Sequence, residues 1–209
     1  MGKIAEAMGN LDKTTVIQLI EQNLAYKTDL TQILEELRAG LEIVGEKYEK
    51  GEYFLFHLLY GAEIFKDAAA LLMPQIKESQ LELEKKARVL IGTVKGDIHD
   101  IGKNIVVALL ESKGFDVKDL GVDIPEERFV TETRTFKPIV IGMSGLLTAS
   151  VEAMESTIKA ITDAGLHAGL KVIVGGGIVA DEWTQGRTGA DAIAQSAVEG
   201  VKTIESFCA

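Results

Sequence analysis

The sequence predicts an N-terminal four-helix bundle plus an α/β flavodoxin-like (Rossmann-like) five-stranded parallel-sheet domain. Two observations carry this. Apolar residues recur at helical spacing up to about residue 76, with no β-branched alternation among them. Beyond a polar run, short apolar stretches alternate five times with helical ones, the pattern of a parallel sheet with right-handed crossovers and helices on both faces.

In chain order, a short helix near Lys3 to Met8 is followed by a second whose stripe is Val16, Leu19, Ile20 and Leu24. A third carries Leu30, Ile33, Leu34, Leu37, Leu41, Val44 and Tyr48. Gly51 punctuates, and Leu55, Leu58, Leu59, Ala62, Phe65, Ala69 and Leu72 continue the period to Pro74. The short loop at Gly51 predicts antiparallel packing of these last two helices. The polar residues Gln75 to Lys86 read as helix tail or linker, giving a helical domain over 1–76, a linker over 77–86 and an α/β domain over 87–209.

In the second domain, strands are expected at Ala87 to Thr93, Phe115 to Leu120, Ile139 to Met143, Lys171 to Val174 and Asp191 to Ala194. Helices are expected between them: one with Ile101, Ile105, Val106, Leu109 and Leu110, one near Pro125 to Thr133, one with Val151, Met154, Ile158 and Ile161, and a short one near Asp181. A last helix carries Val198, Val201 and Ile204.

With 209 residues the chain can bury a sizeable core, and its net charge of −10 disfavours nucleic acid and anionic membranes, both of which call for a basic surface. No run of about twenty apolar residues is present, and Met1-Gly2-Lys3-Ile4-Ala5-Glu6 lacks the apolar core of a signal peptide, so a cytoplasmic location is expected. The single cysteine, Cys208, has no internal disulfide partner and reads as a solvated or frayed thiol.

The chemistry gathers on three βα loops. Gly96-Asp97-Ile98-His99-Asp100-Ile101-Gly102-Lys103-Asn104 follows the first strand, and its histidine can project from the carboxyl edge of the sheet, where open α/β folds bind ligands. Asp97 can accept a bond from one ring nitrogen and leave the other free for a metal. Gly102 can permit a tight turn or a close ligand approach. Ser144-Gly145-Leu146-Leu147-Thr148-Ala149-Ser150 follows the third strand and Gly175-Gly176-Gly177 the fourth, so all three loops fall on one edge. Singly, each has a plainer account: Asp97 or Asp100 as a helix cap, Ser150 as another, the glycines as a turn. Neither Gly-x-Gly-x-x-Gly nor a Walker lysine is present to indicate a nucleotide site.

Taken together, Asp97-x-His99-x-x-Gly102, Ser144-x-Leu146 and Gly175-Gly176 resemble the signature of base-off, histidine-on cobalamin-binding proteins. From about residue 12 onward the chain is similar to the cobalamin module of methionine synthase, and by size and independence to the small corrinoid proteins of methanogen and acetogen methyltransferase systems. The resemblance implies a cobalamin or related corrinoid cofactor, with His99 as the lower axial ligand of cobalt and Asp97 and Ser150 as its hydrogen-bonded relay. It implies that Ile101 and Gly102 also face the cofactor. Ser144, Leu146 and Thr148 would line the channel for the displaced nucleotide tail, whose base would lie against Gly175, Gly176 and Gly177. Tyr48 and Leu55 would cap the upper corrin face. Where the family commonly has proline after the equivalent of Leu55, this chain has Phe56-His57, which puts the onset of the fourth helix in question. His57 reads as a surface or packing residue and His167 as solvated.

The resemblance further implies a corrinoid carrier, incomplete as an enzyme by itself. It would shuttle methyl between a substrate-specific methyltransferase and a methyl-acceptor methyltransferase using tetrahydrofolate or a thiol coenzyme, with a reductive activase as a further partner. Reduced cobalt supplies the nucleophile that no side chain can. Methoxylated aromatics, methanol, methylamines and betaines are all open as methyl donors, with a slight preference for O-demethylation from family likeness alone, and the bundle is expected to swing about the linker on docking. A cobalamin-dependent sensor or a mutase small subunit are the alternatives; the first lacks a basic DNA-binding segment before the bundle, and the Tyr48/Leu55 cap counts against the second.

Overall fold

The computed structural model describes residues 2–26, 28–78, 86–177 and 181–208. It divides into two compact units, Met1–Glu84 and Lys85–Ala209.

The first unit contains α1 (Lys3–Gly9), α2 (Lys13–Ala25), α3 (Leu30–Glu49) and α4 (Leu55–Glu78). Asp12 and Asp29 open α2 and α3 as N-caps, accepting from the backbone N–H of Thr15 and Thr31. The core joins Ile4 and Met8 to Val16, Ile20, Ile33, Leu37, Leu41, Val44, Leu58, Ile64 and Leu72. α1 crosses α3 closely at Gly40, where a Cβ would strike Met8 and the Ala5 carbonyl.

One feature of α4 differs from the sequence expectation. Its buried stripe is Leu58, Ala62, Ile64, Ala68 and Leu72, while Phe65 and Ala69 are only half-buried and Leu55 and Leu59 are exposed. The helix also runs through Pro74 to Glu78, which makes the start of the polar run after Pro74 helix tail; Pro74 has no N–H to give the preceding turn, yet the helix does not end there. Its onset needs no proline. His57 Nδ1 accepts the Phe54 backbone N–H at 3.0 Å, the reach-back of a capping box performed by a histidine, and the His57 ring stacks on Tyr53 at 4.6 Å.

The second unit runs β1 (Arg88–Thr93), α5 (Ile101–Ser112), β2 (Asp116–Asp119), α6 (Glu126–Phe136), β3 (Val140–Ser144), α7 (Ser150–Asp163), β4 (Lys171–Gly175), α8 (Glu182–Thr188), β5 (Ala192–Ala194) and α9 (Ala197–Phe207). The strands are all parallel in the order β2-β1-β3-β4-β5. This is the flavodoxin-like order, with its switch point between β1 and β3. The central strands are buried on both faces: α6, through Phe129, and α7 pack together against Leu90, Ile141 and Val172, and α5 packs with α9.

Register sets the functional edge. Thr93 pairs with Ser144, and Ser144 with Gly175, so the last residues of β1, β3 and β4 stand side by side. Part of the expected linker over 77–86 lies outside the described residues.

Candidate functional site

The β1–α5 loop is bent by Gly96, which has φ +81°, and held at its start by Thr93 and Val94. The fully buried Thr93 hydroxyl donates to the His99 carbonyl at 3.0 Å, and the Val94 N–H donates to the Ser144 carbonyl at 3.0 Å. Asp100 sits at the N-cap of α5, but its carboxylate caps no backbone N–H and instead accepts from Asn104 Nδ2 at 3.0 Å.

Asp97 is the hub of the site. Its side chain is fully buried and gathers donors from two loops across the switch point. Oδ1 accepts the His99 backbone N–H at 2.9 Å and lies 2.7 Å from His99 Nδ1. Oδ2 accepts the backbone N–H groups of Leu146 at 2.6 Å and Leu147 at 3.2 Å, and the Ser150 hydroxyl at 2.7 Å. Burial alone would raise the Asp97 pKa, but the bonds from the His99 and Leu146 backbone, the Ser150 hydroxyl and the His99 ring outweigh it and hold the carboxyl well below the usual range.

A carboxylate so held can only accept, so Nδ1 of His99 carries a proton toward Asp97, and in the neutral ring it is Nε2 that has the free lone pair. The His99 side chain is half exposed, 51%, while its partner is wholly covered. The arrangement is therefore a one-nitrogen donor of fixed tautomer aimed out of a buried anionic seat.

Ser150 is not the N-cap the sequence also allowed. Ala149 occupies that position, and Ser150, in the first turn of α7, turns its hydroxyl inward to Asp97. A Cβ at Gly145 would collide with the Ser150 Cβ, so this glycine lets α7 begin close under the loop. The Gly145 N–H donates to the Gly175 carbonyl at 3.0 Å. Gly176, at φ +119°, faces the Gly145 carbonyl too closely for any Cβ, and Gly177, at φ +50°, packs on Leu146.

Of the remaining expected residues, Ser144 is half-buried at the end of β3 and Thr148 is exposed. Ile101 and Gly102 form the exposed first turn of α5. Tyr48, half-buried on α3, and Leu55, the exposed first residue of α4, belong to the other unit. His167 is half-buried with Nδ1 2.8 Å from the Thr162 hydroxyl, and Cys208 is half-buried with its thiol pKa pushed up by burial. His167 departs from the expectation of solvation because the turn after α7 brings its ring onto Thr162, and Cys208, expected to be solvated or frayed, is partly covered at the C-cap of α9.

Sequence reasoning missed the β2–α6 loop. Asp123 Oδ1 accepts the Gly96 N–H at 2.7 Å and its own N–H donates to the Asp97 carbonyl at 2.9 Å. The signal was Asp119-Leu120-Gly121-Val122-Asp123-Ile124-Pro125, whose glycine, aspartates and proline mark a βα loop at the same sheet edge.

A helical unit followed by a flavodoxin-order sheet with a carboxylate-seated histidine at the switch point defines a B12-binding protein. The description B12 binding domain matches residues 87–204, and a second B12 binding domain matches residues 2–73. The chain is 32% identical over 207 residues to trimethylamine corrinoid protein 1 of Methanosarcina acetivorans, covering 99% of this chain and 95% of that one. It is 35% identical over 204 residues to a corrinoid protein of Desulfitobacterium hafniense, covering 97% and 94%. Among solved structures it is similar to a cobalamin-binding protein from Desulfitobacterium hafniense DCB-2, with TM-score 0.78, 34% identity and coverage of 98% and 96%. It is similar also to the methanol:cobalamin methyltransferase complex MtaBC from Methanosarcina barkeri, with TM-score 0.82, 25% identity and coverage of 98% and 78%. The chain belongs to the corrinoid-protein family.

The residues present fit a flat macrocycle that brings its own metal. The loops that carry His99 and its Asp97 donors also expose Ile98, Ile101, Leu146 and Leu147, an apolar surround with few polar groups such as a large organic cofactor requires. Among the described residues no three His, Cys, Asp or Glu side chains gather to hold a bare ion, whereas a corrin needs only one protein ligand. Among the same residues no helix is long and apolar enough to cross a membrane.

Proposed function

We propose that this protein is a corrinoid carrier that binds cobalamin base-off and His-on through His99 and shuttles a methyl group between a substrate:corrinoid methyltransferase and a methylcorrinoid:acceptor methyltransferase. When bound, the corrinoid supplies a cobalt centre able to accept and release methyl. The observation that carries the reading is the Asp97 seat, which leaves His99 one free nitrogen in a fixed tautomer.

In this reading His99 would hold the metal of a bound corrinoid through Nε2, and Asp97 and Ser150 would set the basicity of the ring through the bond at Nδ1. Ile101 and Gly102 face the ring. Ser144, Leu146 and Thr148 line the path of the displaced tail, and Gly175, Gly176 and Gly177 receive its base. Tyr48 and Leu55 are assigned to the upper corrin face by family likeness; Leu55 is 46% exposed, as an apolar contact residue of this kind must be.

The partners follow from the carrier role: a methyltransferase holding the donor, a second holding tetrahydrofolate or a thiol coenzyme, and a reductive activase that restores the nucleophilic cobalt. Relatives named for trimethylamine and dimethylamine, and the methanol complex, support the methyltransferase partner and put methylated amines and methanol ahead of methoxylated aromatics as donors to assay.

The test is electron paramagnetic resonance of the chain, its histidines labelled with nitrogen-15, with cobalamin in the Co(II) state, where a labelled histidine splits the cobalt lines into doublets and the cofactor's own base splits them into triplets. We expect stoichiometric binding with doublets that disappear in His99→Ala; triplets in the wild type, or doublets that survive this substitution, overturn the assignment.

A further inference from the structure

We propose that Lys103 is a positioning residue that sets the backbone of the His99 loop independently of Asp97. The proposal rests on the reading of His99 as the axial ligand.

Lys103 lies in the first turn of α5 with its side chain only 2% exposed. A buried ammonium is retained only where it is paired, and this one has two partners, Asp119 Oδ2 at 2.5 Å and Asn104 Oδ1 at 2.7 Å. From each partner a series of bonds leads to His99. Through the first, Asp119 Oδ1 accepts the Gly121 N–H at 2.9 Å, the Gly121 carbonyl accepts the Thr93 N–H at 3.0 Å, and the Thr93 hydroxyl holds the His99 carbonyl at 3.0 Å. Through the second, Asn104 Nδ2 donates to Asp100 Oδ2 at 3.0 Å, and Asp100 is the residue after His99.

The Asp119 branch continues along its own loop. Asp123, at φ +53° in the left-handed region that non-glycine residues seldom occupy, holds Gly96 and the Asp97 carbonyl. Lys103 thus stands where the β2–α6 loop and the start of α5 meet, and both hold the segment from Gly96 to Asp100. The Asp97 carboxylate fixes the ring of His99, whereas the Lys103 net fixes the backbone from which that ring projects. A half-exposed imidazole depends on both for the placing of Nε2.

An ion pair that serves the fold alone behaves differently, because an apolar isostere at such a pair is often neutral or stabilising and would leave ligation untouched. The test uses the full chain, its histidines labelled with nitrogen-15, with cobalamin in the Co(II) state and reads the ratio of doublet-split signal to all other signal, with thermal melts of the apoprotein alongside. Lys103→Met is expected to fold and bind cobalamin, with the His-on to His-off ratio about tenfold lower than in the wild type. Asp119→Asn, which loosens one branch, is expected to lower the ratio less, and the double variant no further than Lys103→Met. A folded Lys103→Met with the wild-type ratio overturns the proposal; if that variant does not fold, a wild-type ratio in Asp119→Asn does so. A wild type without doublets removes the His99 reading and this proposal together, whereas a doublet-split wild type with an equally split Lys103→Met removes this proposal alone.

Discussion

The Ser150 hydroxyl lies 2.7 Å from Asp97 Oδ2, joining residues 53 positions apart across the β1/β3 switch point. Both are buried, so the bond is a charge-assisted one with little competition from water. Ser150→Ala leaves the carboxylate its backbone donors and removes only this one. We expect a loss of about 2 kcal/mol, in the range for hydrogen bonds to charged groups, measured as a lower urea midpoint at unchanged m-value. Ser150→Thr, which keeps the hydroxyl but adds a methyl in a tight place, tests whether donor or volume governs.

Asp97 ionises more readily in the folded chain than in the unfolded one, because the His99 and Leu146 N–H groups, the Ser150 hydroxyl and the His99 ring overcome the cost of its burial. Its folded pKa is depressed, so its contribution to stability is fully present above the ordinary aspartate value of about 3.9 and is lost as pH falls through the lower folded value. The wild type is therefore expected to lose stability steeply in acid below about pH 4. Asp97→Asn cannot accept from all the same donors and presents an NH2 toward some of them. It is expected to lose about 3 kcal/mol or more at neutral pH and to show a flatter acid limb, read from urea midpoints at both ends of the range.

The contrast between Asp97 and Lys103 shows how much of this site was legible in the sequence. Asp97-x-His99 is legible only together with Ser144 to Ser150 and the glycines after β4, since alone it reads equally well as a capped strand-to-helix loop; the central strands β1, β3 and β4 are legible because each is a short apolar run buried on both faces. Lys103 was hidden, since a lysine in the first turn of a helix reads as a solvated charge and only the fold brings Asp119 to it. Ser150 was legible as a hydroxyl near a helix start, but whether it caps that helix or turns inward depends on how closely Gly145 lets α7 approach. The course of α4 past Pro74 is legible only as one of two readings, helix tail or linker, because proline commonly ends or kinks a helix and nothing in the sequence tells that this one runs on to Glu78.

Gly176 and Gly177 give a graded prediction. Gly176 has φ +119°, outside the left-handed well open to other residues, and a Cβ there meets the immovable Gly145 backbone. Gly177 has φ +50°, within that well, and a Cβ meets the flexible end of Leu146. Gly176→Ala is expected to cost about 3 kcal/mol or more and Gly177→Ala about 1 kcal/mol, compared by thermal unfolding. Equal costs would mean that the Gly145 backbone gives way to a Cβ at Gly176 as easily as the Leu146 side chain does to one at Gly177.

In the helical unit His57 takes the part that Glu or Gln plays in a capping box, accepting the Phe54 N–H. His57→Ala is expected to destabilise this unit by about 1 kcal/mol, while His57→Gln, which can make the same bond, recovers most of it. Circular dichroism melts read the difference.

Gly102 separates the needs of the fold from those of the ligand. Its place in the motif allowed two readings, a tight turn or a close approach. The turn is excluded: Gly102 lies within α5, its φ is not in the positive range, and a Cβ added there meets nothing within 4 Å. Glycine is a poor helix former, so Gly102→Ala should leave the apoprotein as stable or up to about 1 kcal/mol more stable. Cobalamin should respond in the opposite sense, because the space beside the exposed first turn of α5 is where the corrin is proposed to lie. Gly102→Ala is expected to weaken cobalamin binding, and Gly102→Leu to weaken it at least tenfold, without loss of apoprotein stability. Equilibrium titration beside apoprotein melts reads both quantities, and a Gly102→Leu variant that binds cobalamin as the wild type does would place the ring elsewhere.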